Sequence, residues 1–297
     1  MKITKTYPVS KYNRFAIQVF RFITKPLLLR AWFREPLPPL NKRHAKTGHL
    51  TLEIVSHCWN YGNMLTYQLS SIVNNSPTKL SLTMTVFYAI EDAKTKATVE
   101  YFEQIKVANV TWNFQALSKG KLFRRGIGRN MVAQSTKADW LWFTDCDIIF
   151  HKNCLDSLAQ ALQGRQETLY YPRQERTTEM LSDSDPMLNP ESEPQVVDIE
   201  TENFSLHVRD KAKGAFQIVH GDVARAIGYC DKLPMFQTES DRWRKTFEDT
   251  AFKWLVNSEG LPLEIDGVFQ IRHVKKGRYQ EGTTVSKARS KIRRMQE

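Results

Sequence analysis

The sequence predicts an α/β fold: one mixed, mainly parallel sheet with helices on both faces. Three observations carry this expectation. Residues 50–58 alternate in polarity and run into the turn Ser56-His57-Cys58-Trp59-Asn60-Tyr61-Gly62, as a strand does. Met64, Leu65, Gln68, Leu69, Ile72 and Val73 then recur at helical spacing, and a second strand over 82–90 stops at Glu91-Asp92. Strand, helix and strand in that order imply parallel strands joined by a right-handed crossover. Finally, Trp140-Leu141-Trp142-Phe143 is an uninterrupted apolar run, typical of a strand covered on both faces.

The remaining elements follow along the chain. Residues 14–25 place Arg14, Gln18, Arg21 and Lys25 on one polar face of a helix, with Phe15, Val19, Phe20, Phe22 and Ile23 on the remainder. Pro26 ends the pattern, an apolar and basic stretch with Trp32 follows, and Pro36-Leu37-Pro38-Pro39 reads as a linker. Residues 128–137 read as a helix leading into the apolar strand. After it, Asn153 is a natural N-cap for a helix with Leu155, Leu158, Ala159 and Leu162 on one face. Residues 173–212 are polar, rich in acids and interrupted by Pro186, Pro190 and Pro194, which reads as a long loop, either functional or disordered. A short strand over 215–219, a helical turn from Asp222 closed by Gly228, a helix from near Glu248 to before Gly260, and a strand over 267–271 complete the chain. There is no internal repeat.

The 297 residues suffice for one large domain with short appendages. No run of about 18 uncharged apolar residues is present, so no spanning helix is expected. Charges interrupt every apolar stretch that could form the core of a secretory signal, which points to the cytoplasm. The four cysteines, Cys58, Cys146, Cys154 and Cys230, form no CxxC pair and are expected as reduced, packed thiols. The net charge of +11 is unevenly placed: residues 1–49 carry +10 and residues 274–297 carry +6, which leaves −5 for residues 50–273. A nucleic-acid enzyme would carry its positive stripe on the folded body. Basic arms on an acidic body suit an anionic lipid surface or a soluble anionic partner instead. The amphipathic arm therefore either lies in the inner leaflet of a membrane as a peripheral anchor or packs on the body with its arginines solvated.

Asp145-Cys146-Asp147 carries the chemistry. Two carboxylates at the end of a buried strand sit where open α/β sheets bind ligands. Two like charges beside an apolar run are costly unless neutralised, and a divalent cation bridging to a diphosphate neutralises both. Glu248-Asp249 opens a helix, where the dipole favours acids, and one of the two could accept a proton from an attacking hydroxyl. His273, followed by Lys275-Lys276-Gly277-Arg278, could be a third metal ligand with basic residues near phosphates.

Together, the Trp59-Asn60 turn, the acids ending the second strand, Arg129-Asn130, ADWLWFTDCDIIF, GAFQIVHGDVARAIGY, FED and the late histidine resemble the inverting glycosyltransferase family 2 and its GT-A relatives over residues 49–280. The resemblance implies a GT-A (Rossmann-like) catalytic domain over 49–280, preceded by a basic amphipathic arm and linker over 1–48 and followed by a basic tail over 281–297. It places Trp59 and Asn60 near the nucleotide base and Glu91 or Asp92 on uracil or ribose. Arg129, Asn130 and Arg278 join the nucleotide-sugar site. Asp145 would contact ribose and metal, Asp147 and His273 the metal, and Asp249 would be the catalytic base with Glu248 beside it. This sequence departs from the common pattern at three places: Trp59 stands where most relatives have Tyr, Glu91-Asp92-Ala93-Lys94 replaces Asp-Asp-x-Ser, and Gly228-Tyr229-Cys230-Asp231 replaces Gly-Gly-Phe-Asp. The implied activity is Mn²⁺- or Mg²⁺-dependent transfer of a hexose from a UDP-sugar to a hydroxyl of a glycan or glycolipid acceptor, with inversion. Two other readings are a nucleotidyltransferase and a non-catalytic anionic-surface binder. The first should show a Gly-rich, lysine-bearing loop after the first strand, whereas residues 56–63 hold one glycine and no lysine. The second accounts for the arms but not for the clustered acids.

Overall fold

A computed structural model describes Val19 and residues 29–182, 185–188, 193–242 and 246–273. Apart from Val19, the helix expected over 14–25, and with it Arg278 and the basic tail, lies outside the described residues.

Strand β1 (Leu50–His57) leads through α1 (Gly62–Asn74) to β2 (Leu80–Tyr88), parallel and in register, with Leu50 opposite Leu80 and His57 opposite Phe87. Helix α2 (Ala93–Glu103) then returns the chain to β3 (Val110–Ala116) at the sheet edge. A short α3 (Lys119–Leu122) and α4 (Arg125–Ser135) cross to β4 (Trp140–Phe143) on the other side of β1. Next come β5 (Ile148–Phe150), α5 (Cys154–Ala161), β6 (Leu169–Pro172), β7 (Gln174–Thr177) and β8 (Ser205–Val208). The chain continues with β9 (Gln217–His220), α6 (Gly221–Ile227), α7 (Pro234–Gln237), α8 (Glu248–Val256), β10 (Leu261–Leu263) and β11 (Val268–Gln270).

Among the described residues the main sheet has the order β10-β6-β9-β4-β1-β2-β3, and β9 alone runs against the other strands. A second sheet, β5-β11-β7-β8, stands beside it. The predicted mixed, mainly parallel α/β architecture is therefore the observed one. Several details differ from the sequence reading. Residues 173–212 are not a bare loop, because β7 and β8 pair antiparallel at its two ends; four-residue strands are too short to announce themselves by periodicity. Asn153 does stand at the start of α5, but with a left-handed backbone (φ 67°) and no side-chain capping bond.

The residues on either side of the Pro36–Pro39 linker are fastened to the body. Phe33 packs on Trp254, Arg34 Nε donates to the Leu255 carbonyl, Arg43 is buried with Nη1 on the Gln166 carbonyl and Thr168, and Lys46 pairs with Asp139. No helix of the described residues is long and apolar enough to cross a membrane. All four cysteines are buried and unbridged.

Aromatic packing aligns the elements that carry the acids. Trp142 is fully buried, its indole N–H donating to the Ala215 carbonyl at 3.0 Å. Phe143 meets the edge of Tyr229, and Tyr229 stacks on Phe252 at 4.5 Å. This column ties the end of β4 to α8. Truncating a buried aromatic of this kind costs about 3–5 kcal/mol.

Candidate active site

The carboxyl edge of the parallel strands gathers most of the predicted residues. Asp145 and Asp147 follow β4, Trp59 and Asn60 follow β1, and Glu91 and Asp92 follow β2. Two helix N-termini face the same edge: α4, which starts at Arg125, and α8, which starts at Glu248. Helix α4 sits hard against the end of β1 and against α7 because two of its positions are glycine. A Cβ on Gly128 would lie 2.4 Å from His57 Nε2, and one on Gly126 would lie 2.5 Å from the Phe236 carbonyl.

Arg125 organises the centre. Its Nη1 donates to Asp145 Oδ1 at 2.5 Å, and its Nε and Nη2 lie 3.0 and 2.9 Å from Glu248 Oε1. Glu248 is almost fully enclosed, with 3% of its side chain exposed, whereas Asp145 shows 38% and is open to a ligand. Arg129 lies beneath, donating to Tyr229 Oη at 2.8 Å and the Gly214 carbonyl at 3.0 Å, and stands 3.7 Å from Asp145 Oδ1. Burial opposes charge on Arg125, but Asp145 and then Glu248 outweigh it, so its pKa rises and it stays a cation. The sequence reading missed Arg125. The signal for it was weak, a basic residue at the start of a helix four positions before Arg129.

The two adjacent acids of α8 are driven apart. Burial pushes Glu248 up, yet Arg125, Arg129 and Thr246 hold it below the usual carboxylate range. Asp249 is pushed above that range by burial and by the neighbouring Glu248 charge. Gly214 lies beside this carboxylate: a Cβ there would stand 3.6 Å from Asp249 Oδ2, an ordinary van der Waals contact. Opposed environments for two neighbouring carboxylates are how sites separate a fixed charge from a proton acceptor. Of the two, Asp249 is the more readily protonated, and Glu248 is held as a charge.

On the other side of the DCD turn, His273 Nε2 stands 3.9 Å from Asp147 Oδ2, and Gln270 Nε2 is 3.4 Å from the same oxygen. Neighbouring ligand atoms of a six-coordinate ion with bonds of about 2.1 Å are about 3 Å apart, so this pair is slightly wider than one ion needs. Among the described residues no group of three or more His, Cys, Asp and Glu side chains is disposed to hold a metal. Of the three residues assigned to the metal by resemblance, Asp147 and His273 come together, while Asp145 is turned to Arg125. Carboxylate oxygens and an imidazole nitrogen suit Mn²⁺ or Mg²⁺, so the donor set fits while the full shell needs further oxygens.

The nucleotide-side residues are placed less evenly. Trp59 is half-buried, edge-on to Phe123, with Lys119 Nζ 4.6 Å above its ring. Asn60 and Glu91 are exposed. Asp92 is buried and caps α2, accepting from Thr95 N and Oγ1 and from Asn60 N at 2.6 Å. Asn130 is buried as well: its Oδ1 accepts from Tyr229 N and its Nδ2 donates to Asp231. It thereby holds the turn at Gly228, whose positive φ and close approach to Asn130 leave no room for a side chain. In this structure Asp92, Arg129 and Asn130 shape the walls of the site. His57, also unforeseen, is buried at the end of β1 against Phe87. Burial, then Arg129 and Arg125, hold its imidazole neutral.

The profile of a family described as glycosyl transferase family 2 matches residues 54–220. No curated protein matches the chain. Among solved structures, TarS 1–349 of S. aureus is similar at 14% identity, covering 75% of this chain and 58% of that one, with a TM-score of 0.43. The same fragment in complex with UDP-GlcNAc gives 14% identity, 80% and 61% coverage and a TM-score of 0.44. The mannosyltransferase PcManGT from Pyrobaculum calidifontis, in complex with GDP-Man and Mn²⁺, gives 13% identity, 96% and 76% coverage and a TM-score of 0.44. The chain thus spans 58% of the TarS fragment's length.

Proposed function

The chain belongs to glycosyl transferase family 2, and from that premise we propose that it moves a hexose from a UDP-sugar to a hydroxyl of a glycan or glycolipid acceptor, with inversion and with a divalent cation. That it is a glycosyltransferase of GT-A type follows from the family and the fold; donor, metal, acceptor and stereochemistry are our reading.

The observation that supports the reading most is the charge balance at the strand ends. Among the described residues Asp145, Glu248 and Asp249 surround two guanidinium groups, Arg125 and Arg129, and a fourth carboxylate, Asp147, stands beside His273. A diphosphate entering alone would add negative charge to a site already short of positive charge. A divalent cation reverses that balance. Asp147 and His273 would hold it, with Asp145 beside them and diphosphate or water oxygens in the remaining positions; when bound, it would stabilise charge developing on the leaving nucleoside diphosphate.

The chain's own residues supply the rest. Arg125 keeps Asp145 oriented and Glu248 compensated. Asp249, with its raised pKa, accepts the proton of the acceptor hydroxyl as that oxygen attacks the anomeric carbon on the face opposite the leaving group, which inverts the centre. The half-exposed Trp59 offers an aromatic edge to the base. The basic arms, carrying +10 and +6, suit an acceptor held at an anionic membrane surface. A thermal-shift titration tests this reading: UDP should raise the melting temperature in the presence of Mn²⁺ and not in its absence. Equal stabilisation with and without Mn²⁺ would remove the metal from the account.

A further inference from the structure

The turn that carries Asp145 and Asp147 is gripped from below by a single side chain. Gln68 lies in the middle of α1, with none of its surface exposed. Its Nε2 donates to the Asp145 carbonyl at 2.9 Å and to the Ile148 carbonyl at 2.8 Å. Those two carbonyls are the first and last of the turn, which is itself closed by Ile148 N on Asp145 O at 3.2 Å. Two carbonyl acceptors require two donors, so the amide orientation is fixed by chemistry: N–H groups toward the turn, oxygen away. The Gln68 Oε1 left over is buried with no hydrogen-bond partner among the described residues.

Three positions along α1, Ser71 repeats the device. Its Oγ donates to the Gln68 carbonyl at 2.6 Å and accepts from Phe150 N at 3.0 Å. Among the described residues strand β5 is an edge strand, paired with β11 on one side only. Side chains of α1 therefore occupy the place of the missing neighbour strand, bonding the turn and β5 where a ladder would otherwise run. On the opposite side Ile271 N donates to the Asp147 carbonyl at 3.0 Å, two residues before His273. The backbone of the DCD turn is clamped from both directions, and Gln68 is the side-chain half of the clamp.

We infer that Gln68 is a positioning residue of the metal site: by holding both carbonyls of the Asp145–Ile148 turn, it fixes the angle at which Asp145 and Asp147 present their carboxylates. The inference rests on the metal-dependent reading above. Groups one bond removed from metal ligands commonly set affinity through orientation, and losing one typically costs about 10- to 100-fold.

The test is Mn²⁺ binding in the presence of UDP, followed by the electron paramagnetic resonance signal of free Mn²⁺, with the melting temperature of the metal-free protein measured alongside. Gln68→Met keeps the shape and removes both donors. It should weaken Mn²⁺ binding by about tenfold or more in protein that still melts cooperatively. Thr66→Ala, which removes a hydroxyl bonded only to the Gly62 carbonyl of the same helix, should leave the affinity unchanged. Asp147→Asn separates the two claims. Mn²⁺ bound equally by wild type and Gln68→Met but lost in Asp147→Asn overturns the role of Gln68 alone. Wild-type protein that takes up no Mn²⁺ overturns the metal reading and the role of Gln68 together. Should Gln68→Met fail to fold, Gln68→Asn, whose amide is one methylene short of both carbonyls, should weaken Mn²⁺ binding in the same direction; unchanged affinity there overturns the inference.

Discussion

Arg125 Nη1 lies 2.5 Å from Asp145 Oδ1, so the exposed first acid of the DCD turn is ion-paired to a helix whose other partner, Glu248, is enclosed. One guanidinium thus joins the end of β4 to the start of α8. The exposed half of this arrangement can exchange partners, while the buried half cannot do so without leaving a charge in the core.

That asymmetry sets the first prediction. Arg125→Met should destabilise the fold by about 3–5 kcal/mol, because the Glu248 carboxylate loses its principal counter-charge in a water-excluded position. Adding Glu248→Gln to it should restore much of the loss, since an amide needs no counter-ion. Urea denaturation at neutral pH measures both. A double variant no more stable than Arg125→Met would show that the Arg125–Glu248 pair is not what the substitution breaks.

The second prediction concerns Asp249. Asp249→Asn should lower turnover by about 10²–10⁴-fold with little change in donor affinity, because the group acts on the acceptor. The raised pKa gives two pH signatures. Turnover should fall as pH drops through the raised Asp249 value, since only the ionised form accepts a proton. Stability should behave oppositely: a carboxyl whose folded pKa exceeds its unfolded value favours the fold below the unfolded pKa, and that contribution is lost as pH rises through the folded one. Asp249→Asn should therefore be at least as stable as wild type at pH 7. Collapse of UDP-sugar affinity in this variant would assign Asp249 to the donor instead.

The third prediction concerns the arm and where to cut it. Phe33 and Arg34 bind Trp254 and the Leu255 carbonyl, so a deletion should stop before them. Trp32, 65% exposed, and Leu29, 61% exposed, put apolar surface beside Arg30. The intact protein should sediment with anionic vesicles and not with neutral ones. Each Lys or Arg near an anionic surface contributes about 1 kcal/mol, and raising salt toward 1 M, where the Debye length is about 3 Å, should release the protein. Removing residues 1–28 should abolish sedimentation and leave the melting temperature unchanged. Undiminished sedimentation would place the lipid contact elsewhere.

Much of the architecture was legible because it rests on periodicity and on long apolar runs. The alternation of β1, the helical spacing of α1 and the WLWF strand each reflect burial on a definite face. The acids at the strand ends were legible because a charge beside such a run needs a reason to be there. The small second sheet was not, because β7 and β8 are four residues long and lie within polar sequence. Arg125 and Gln68 escaped for a different reason: both act across the fold, on partners 20 to 123 positions away, and no local pattern records such contacts. Asn130 likewise bonds Asp231 and Tyr229, 101 and 99 positions away, whereas Asp92 caps its own helix through Thr95, three residues on, and also accepts from Asn60 N.

The central claim is metal-dependent glycosyl transfer at Asp145 and Asp147, and the most direct measurement is nucleoside diphosphate release from a panel of nucleotide sugars, with Mn²⁺ or with chelator. The account predicts release from a UDP-hexose with Mn²⁺, none with chelator, and none from Asp147→Ala, in protein that melts as wild type does. Release that persists in chelator and in Asp147→Ala would contradict it.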